Sequence, residues 1–329
     1  MTRILTQDEV RALLPMERCI ELVADALKRL ARGDGQNPLR RGILLDDGRV
    51  LGVMPGYLAE PDALGIKVVT VTPSNHGGEW DAHQGIVCLF DPKIGVPTLI
   101  MDAAEVTAIR TAAASGVATR AMAREGAGDV AILGSGVQAR THLAAMRAVR
   151  DVRRVRVFSP RAERRERFAE RESERHGLTV EPMDSAEACV EGADIICTTT
   201  STKEPCLLGA WIAPGAHVNA AGACTPKTRE VDAEGMRRAR VITDSRVAAE
   251  HEAGGLLLAV QEGAIGLDHV VGELGEVLLG SLPGRTTPDE ITLFESLGIA
   301  VEDVVVAEDL LQRAAAEGLG IEVPLGGRA

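Results

Sequence analysis

Aromatic residues are nearly missing: two Trp, one Tyr and four Phe serve a chain of 329 residues. The core must therefore be built from Ala, Val, Leu and Ile. The six cysteines, Cys19, Cys88, Cys189, Cys197, Cys206 and Cys224, form no Cys-x-x-Cys pair. Scattered thiols of this kind read as small buried apolar residues in a reducing compartment. The seven histidines contain no His-x-x-x-His pair, so no metal site is expected. No apolar run approaches the length of a membrane span. Positive charge is in deficit, 36 Lys and Arg against 48 Asp and Glu, for a net charge of -12. Phosphate backbones and anionic membrane surfaces would be repelled, which disfavours nucleic acid and membrane as partners. Met1 to Leu14 carries acids and no apolar block, unlike a signal or transit peptide. A cytoplasmic protein is the expectation.

The length suggests about two domains. One stretch organises the rest: Asp129-Val-Ala-Ile-Leu-Gly-Ser-Gly-Val-Gln-Ala-Arg-Thr-His-Leu-Ala-Ala-Met146. Val130 to Leu133 reads as a buried strand, Gly134 and Gly136 interrupt it, and Gln138 to Met146 resumes at helical spacing. Strand, glycine turn and helix start are the order that a dinucleotide site requires. Gly134 permits a backbone angle closed to other residues, and Gly136 removes a side chain where pyrophosphate must approach the main chain. Free N–H groups of the new helix then face the negative charge. Ala139 stands where a third glycine could be, an accepted variant.

Before this stretch the pattern is helix plus antiparallel sheet. Thr6 and Glu9 form a possible capping box. Pro15 suits the first position of a helix through about Arg32, with Ile20, Val23, Ala24, Leu27 and Leu30 on one face. A hairpin runs from Arg41 to Leu45 and Val50 to Met54 around Asp47-Gly48. Further strands are read at Ile66 to Val71, Gly85 to Phe90 and Val96 to Met101. Ala103 to Arg124 reads as a long helix rich in small residues.

After it, strand and helix alternate, the mark of a parallel sheet with crossovers. Strands are expected at Val155 to Phe158, Asp194 to Thr199, His217 to Ala221 and Val241 to Asp244. Helices are expected at Ala162 to His176, Ser185 to Glu191, Asp232 to Arg238 and Glu250 to Glu262. A last helix, Val301 to Glu317, has core-facing spacing and is expected to return to the first domain. The fold class is thus α/β: a Rossmann-type doubly wound parallel sheet plus a second α+β domain.

In such folds an acid about 20 residues beyond the glycines binds the adenosine ribose of NAD. Here that place reads Ser159-Pro160-Arg161, with Arg164 and Arg165 one turn on. No carboxylate repels a 2′-phosphate, so NADP(H) is favoured and NAD(H) stays open.

At this point the residues match a family. Gly65-Ile66-Lys67, Leu89-Phe90-Asp91 through Met101-Asp102-Ala103, Thr107-Ala108-Ile109-Arg110-Thr111-Ala112-Ala113 and Gly134-Ser135-Gly136-Val137-Gln138 together resemble the ornithine cyclodeaminase/mu-crystallin family. Ser296 to Asp303 looks like its closing motif. The resemblance implies a homodimer in which residues 1–122 plus 302–329 supply dimer contacts and substrate groups, while residues 123–301 form the Rossmann domain. It implies that Arg41, Lys67 and Arg110 clamp a substrate carboxylate, with Lys67 and Arg110 the catalytic candidates. Bidentate guanidinium bonds and a compact ammonium suit that task. Lys67 also lies in an apolar strand, where lysine almost never goes without a partner. His83, read as a strand-start residue, and Glu252 are further candidate substrate contacts. The expected cofactor set is Thr111, Gly134, Ser135, Gly136, Val137, Gln138, Ser159, Arg161, Arg164, Thr199, Thr200, Ala221 and Ala223.

Cys224 stands where true cyclodeaminases of the family carry an aspartate, and a thiol is a poor substitute for that carboxylate at neutral pH. The chain therefore looks closer to the mu-crystallin branch. The expected activity is reduction of a small imino acid, with a cyclic ketimine favoured. Amino-acid dehydrogenation, ornithine cyclodeamination and opine-type condensation stay open on the same scaffold, as does a non-catalytic NADPH-dependent binding protein.

Overall fold

The computed structural model describes residues 1–75 and 79–327. The chain opens with strand β1 (Thr2–Leu5) and helices α1 (Gln7–Leu13) and α2 (Met16–Arg32). Strands β2 (Gly35–Gln36), β3 (Arg41–Leu44), β4 (Val50–Leu58), β5 (Ala63–Val71), β6 (His83–Phe90) and β7 (Pro97–Asp102) follow, then helix α3 (Ala103–Met122). Next come β8 (Asp129–Leu133), α4 (Val137–Val149), β9 (Arg154–Phe158), α5 (Ala162–His176), β10 (Val180–Pro182), α6 (Ala186–Val190), β11 (Ile195–Thr198) and β12 (His217–Ala220). The chain continues through α7 (Ala233–Arg238), β13 (Ala239–Thr243), α8 (Arg246–Glu252), α9 (Gly254–Gln261), β14 (Val270–Glu273), α10 (Leu274–Leu278) and β15 (Ile291–Glu295). Helix α11 (Ala300–Glu317) and β16 (Ile321–Val323) close it. Contacts divide these elements into a first unit, Met1–Arg110 with Ile299–Ala329, and a second, Thr111–Gly298.

In the first unit the strands run in the order β16-β1-β7-β6-β5-β4-β2, with β3 also on β4. Alternation gives this sheet two unlike faces. Met54, Gly56 and Leu58 of β4, Ala63, Gly65 and Lys67 of β5, and Val87 and Leu89 of β6 are inward and buried. Helix α11 covers this face and packs on α2. Helix α2 buries Cys19, Ile20, Val23, Ala24, Ala26 and Leu27, and Gly33 in the left-handed region ends it. Pro15 caps this helix rather than opening it, and Leu30 is half-buried. Two glycines let α11 lie close: a Cβ on Gly56 would sit 3.0 Å from the Ala300 Cβ, and one on Gly65 3.1 Å from a Val304 methyl. The opposite face carries Ile43 and Leu51, paired in register, and Ile86, paired with Val68. These three residues are exposed.

The second unit is a wholly parallel sheet in the order β10-β9-β8-β11-β12-β15-β13-β14. This is the Rossmann-type architecture expected from the strand–helix alternation. Strand β15 was not expected: Ile-Thr-Leu-Phe-Glu is buried along its whole length between β12 and β13. Such a short apolar run has no period that marks it as strand rather than helix. The helix expected over Glu250 to Glu262 is instead two helices that meet at Ala253. A Cβ on Gly254 would collide with the backbone carbonyls of Thr225 and Thr228, so the chain turns where a loop crosses closely.

Candidate active site

In the second unit, β8 lies at the centre of the sheet, and the chain leaves it for β9 on one side and β11 on the other. Ligands of open α/β sheets bind outside the carboxyl ends of the strands at such a switch point. The turn that follows β8 contains two glycines of different physical kind. Gly134 has φ +125°, and a Cβ there would sit 2.6 Å from the Thr199 Oγ1 and 2.8 Å from its carbonyl oxygen. The chain itself demands glycine at that position. Gly136 has φ −93°, which any residue adopts. A Cβ on it would meet nothing within 4 Å. Nothing in the protein needs glycine there, whereas a phosphate approaching the backbone does. Helix α4 starts at once, with no side-chain cap on its first amides and with Val137 46% exposed at its first position. These residues fit a dinucleotide pyrophosphate at a helix N-terminus.

The surrounding positions are held firmly. The Ser135 hydroxyl donates to the Ser159 hydroxyl at 3.0 Å, joining the ends of β8 and β9. His142, absent from the sequence-based set, is fully buried, and burial pushes its pKa down to about 4. Its neutral ring donates from Nδ1 to the Gln138 carbonyl at 2.8 Å, so Nε2 accepts from Ser115 at 2.9 Å. The first turn of α4 is thereby fixed to α3. Arg165 is engaged with Asp184 at 2.6 Å and with the Ser159 carbonyl. Arg161 and Arg164 are exposed, and their side chains make no hydrogen bond or ion pair among the described residues. Thr199, Thr200 and Ala221 are half-buried at the ends of β11 and β12, and Thr111 and Ala223 are buried. Glu252 ends α8 at a half-buried position. Cys224 is half-buried in the loop after β12.

In the first unit, Lys67 and Arg110 converge on two carboxylates from the first turn of α11. The Lys67 ammonium lies 2.7 Å from Asp303 Oδ2. Arg110 bonds Asp303 through Nε at 3.0 Å and Glu302 through Nη1 at 2.8 Å. The side chains are 2% and 5% exposed for the cations and 0% for both acids. Four buried charges persist only because they pair. Acids in the first turn also suit the positive end of the α11 dipole. Burial, reinforced by the Arg110 charge, lowers the Lys67 pKa to about 8, while Asp303 acts the other way. Burial opposes the Arg110 charge too, but Asp303 and Glu302 outweigh it and raise its pKa. Asp303 stays below the ordinary carboxylate range: burial pushes up, and Arg110 and Lys67 pull down further. Arg110 spends Nε and Nη1 on these acids and leaves Nη2 without a protein partner among the described residues.

Arg41 does not join them. It is exposed and pairs with Val53, which pairs with Val68, whereas Lys67 pairs with Met54. Paired residues share a face and successive residues alternate, so Arg41 lies on the face opposite Lys67. Arg40, one residue earlier, is a second cation, after Arg110, whose charge lowers the Lys67 pKa. His83 shares the Lys67 face but starts β6 opposite Val71, four positions and roughly 13 Å along the strand. Reading Lys67 as needing a partner was sound. Asp303 stands 236 positions away, too far for spacing to reveal it.

A sequence profile described as the ornithine cyclodeaminase/mu-crystallin family matches residues 1–318. The chain belongs to this family. It is 42% identical over 258 residues to the ketimine reductase mu-crystallin of Mus musculus, covering 78% of each chain. Among solved structures it is similar to the Delta(1)-pyrroline-2-carboxylate reductase of Thermococcus litoralis in complex with NADH and L-proline. That similarity has TM-score 0.96 and 34% identity over 98% of this chain and 100% of the other. It is also similar to an archaeal alanine dehydrogenase dimer with bound NAD, with TM-score 0.93 and 32% identity over 98% and 99%. No metal-holding group of His, Cys, Asp or Glu and no helix able to cross a membrane occurs among the described residues.

Proposed function

We infer that this family member is an NAD(P)H-dependent reductase of C=N bonds, acting on a small cyclic imino acid such as a pyrroline- or piperideine-2-carboxylate. The observation that carries this reading is the buried pair Lys67 and Arg110, aligned by Asp303 and Glu302 with the Arg110 Nη2 left to accept a ligand carboxylate. Relatives that reduce pyrroline-2-carboxylate and ketimines support it.

The reduced nicotinamide supplies the hydride when bound. The chain supplies position and a proton. Arg110 and Lys67 hold the carboxylate, each charge-assisted bond contributing about 1.5–3 kcal/mol. Arg40 is a third candidate for that grip in place of Arg41. Lys67, with a pKa near 8, is mostly protonated at pH 7 and is the proposed donor to the imine nitrogen. Gly134 to Gln138 hold the pyrophosphate, and Thr111, Thr199, Thr200, Ala221 and Ala223 complete the cofactor site. His83 and Glu252 are proposed to face the substrate side chain.

NADP(H) is the proposed cofactor. No acid directly follows β9, and Ser159 together with the unengaged side chains of Arg161 and Arg164 suits a 2′-phosphate. The first unit is proposed to carry substrate binding and dimerisation, a second copy covering its apolar sheet face. The free cysteines suit the cytosol.

The test is oxidation of NADPH and NADH over cyclic ketimines, 2-oxo acids with ammonia, and ornithine with the oxidised cofactors. Fastest turnover is expected with NADPH and a cyclic ketimine. Arg164→Ala should cost about tenfold in kcat/KM for NADPH and little for NADH. Faster turnover of NADH, or activity confined to ornithine, overturns the assignment.

A further inference from the structure

Beyond the family's site lies a buried carboxylate that the reductase reading does not use. Glu230, 2% exposed, sits in the loop between β12 and α7. Its Oε1 accepts from the Thr200 amide at 2.5 Å and the Thr200 hydroxyl at 2.7 Å. Its Oε2 accepts from the Thr198 hydroxyl at 2.8 Å and the Gly222 amide at 2.6 Å. One side chain thus ties the segment leaving β11 to the segment leaving β12. The tie continues to the glycine turn, because Thr199 bonds the Leu133 carbonyl through its amide at 2.9 Å and lies against Gly134. Gly222 must be glycine for the same reason: a Cβ there would strike the Thr200 carbonyl, and the Glu230 Oε1 would be 2.5 Å away. The Glu230 backbone carbonyl also accepts the amides of Cys206 and Leu207.

We propose that Glu230 is a positioning residue that shapes the cofactor-facing edge of the parallel sheet by holding Thr198, Thr200 and Gly222 in one arrangement. This rests on the reading of the glycine turn as the nicotinamide cofactor's site. Two fixed amides and two hydroxyls pointing at one carboxyl group require an acceptor on both oxygens, which the ionised form provides. Burial raises the Glu230 pKa and the four donors oppose that rise. Neighbouring Glu295 takes the alternative state: burial, then the charges of Glu230 and Asp244, push it to about 8. Glu295 is therefore largely protonated at neutral pH, and the geometry of the four donors is what favours an acceptor on both oxygens of Glu230.

The experiment titrates NADPH fluorescence against the full chain, wild type and Glu230→Gln, and follows KM for the ketimine at saturating NADPH. Gln turns one acceptor into a donor facing donors, so NADPH binding should weaken about 10- to 100-fold, with ketimine KM little changed. Glu172→Gln is the control, because Glu172 is equally buried but bonds Arg171 and Arg175 on α5. It should lower Tm and leave NADPH binding intact. Unchanged NADPH binding by folded Glu230→Gln, or equal weakening by Glu172→Gln, overturns the proposal. Should Glu230→Gln fail to fold, Thr198→Val serves, because Thr198 bonds Glu230 and lies outside the proposed cofactor set: weakening of about 3- to 10-fold supports the tie, and none overturns it. Gly136→Val tests the underlying reading separately. If that variant retains NADPH binding, the turn is not the cofactor site, whatever Glu230 does.

Discussion

Lys67 gives the proposed site a pH dependence of its own. Its folded pKa of about 8 lies below the ordinary 10.5, so between those values the unfolded chain binds a proton that the folded chain does not. Stability from this residue therefore rises with pH across that window, and its charge is a cost below it. Activity moves the opposite way, because a proton donor must be charged. The kcat/KM for ketimine reduction should be flat below about pH 8 and fall about tenfold per unit above it. Lys67→Met should remove this alkaline limb along with most activity while NADPH binding persists. An unchanged limb in the Met variant would assign the proton to another group. Arg110→Ala has a different signature: it removes a buried counter-charge shared by Asp303 and Glu302, at about 3–5 kcal/mol, so a fall in Tm should accompany its loss of turnover.

Helix α11 shows how a secondary element can act as part of a site. Its first turn delivers Glu302 and Asp303, and its approach depends on bare backbone at Gly56 and Gly65. Gly56→Val should displace the helix and destabilise by about 1–3 kcal/mol from overpacking alone. It should also raise the ketimine KM, because the carboxylates that align Lys67 and Arg110 move with the helix. Chemical denaturation with parallel kinetics checks this, and lost stability with an unchanged KM would uncouple the two. The elements legible in the sequence were those with a period or a mark of their own: α2 and α11 by apolar spacing, β8 by its glycine turn. Strand β15 was illegible because it is short and buried on both faces, and β1 and β16 because each gains its identity only by pairing across the chain. At the site, Lys67 announced a missing partner by its chemistry, but Asp303 and the Glu230 tie arise only from the folded path. Arg40 and Arg41 could not be told apart without strand register.

At the scale of the whole molecule, the exposed apolar residues on one sheet face of the first unit are the proposed seat of a dimer contact. Ile43, Leu51 and Ile86 are 59%, 37% and 43% exposed on one surface, the kind of apolar patch that a partner covers. A second copy is the proposed cover, and a dimer is described for the related alanine dehydrogenase. Ile43→Glu with Ile86→Glu should give a monomer in sedimentation velocity at micromolar concentration, where the wild type should be a dimer. A wild-type monomer, or a double variant that still dimerises, would place the interface elsewhere.

The return of α11 has a consequence for the order of biogenesis. The ribosome makes Arg110 long before Glu302, 192 positions later, a delay of roughly 10 to 40 s at ordinary elongation rates. Through that interval the early sheet holds two cations with no counter-ions and an apolar groove with no lid. The contiguous second unit, Thr111–Gly298, suffers no such wait. The half of the protein synthesised first is therefore the half completed last, and its nascent form is the one that a chaperone has reason to hold.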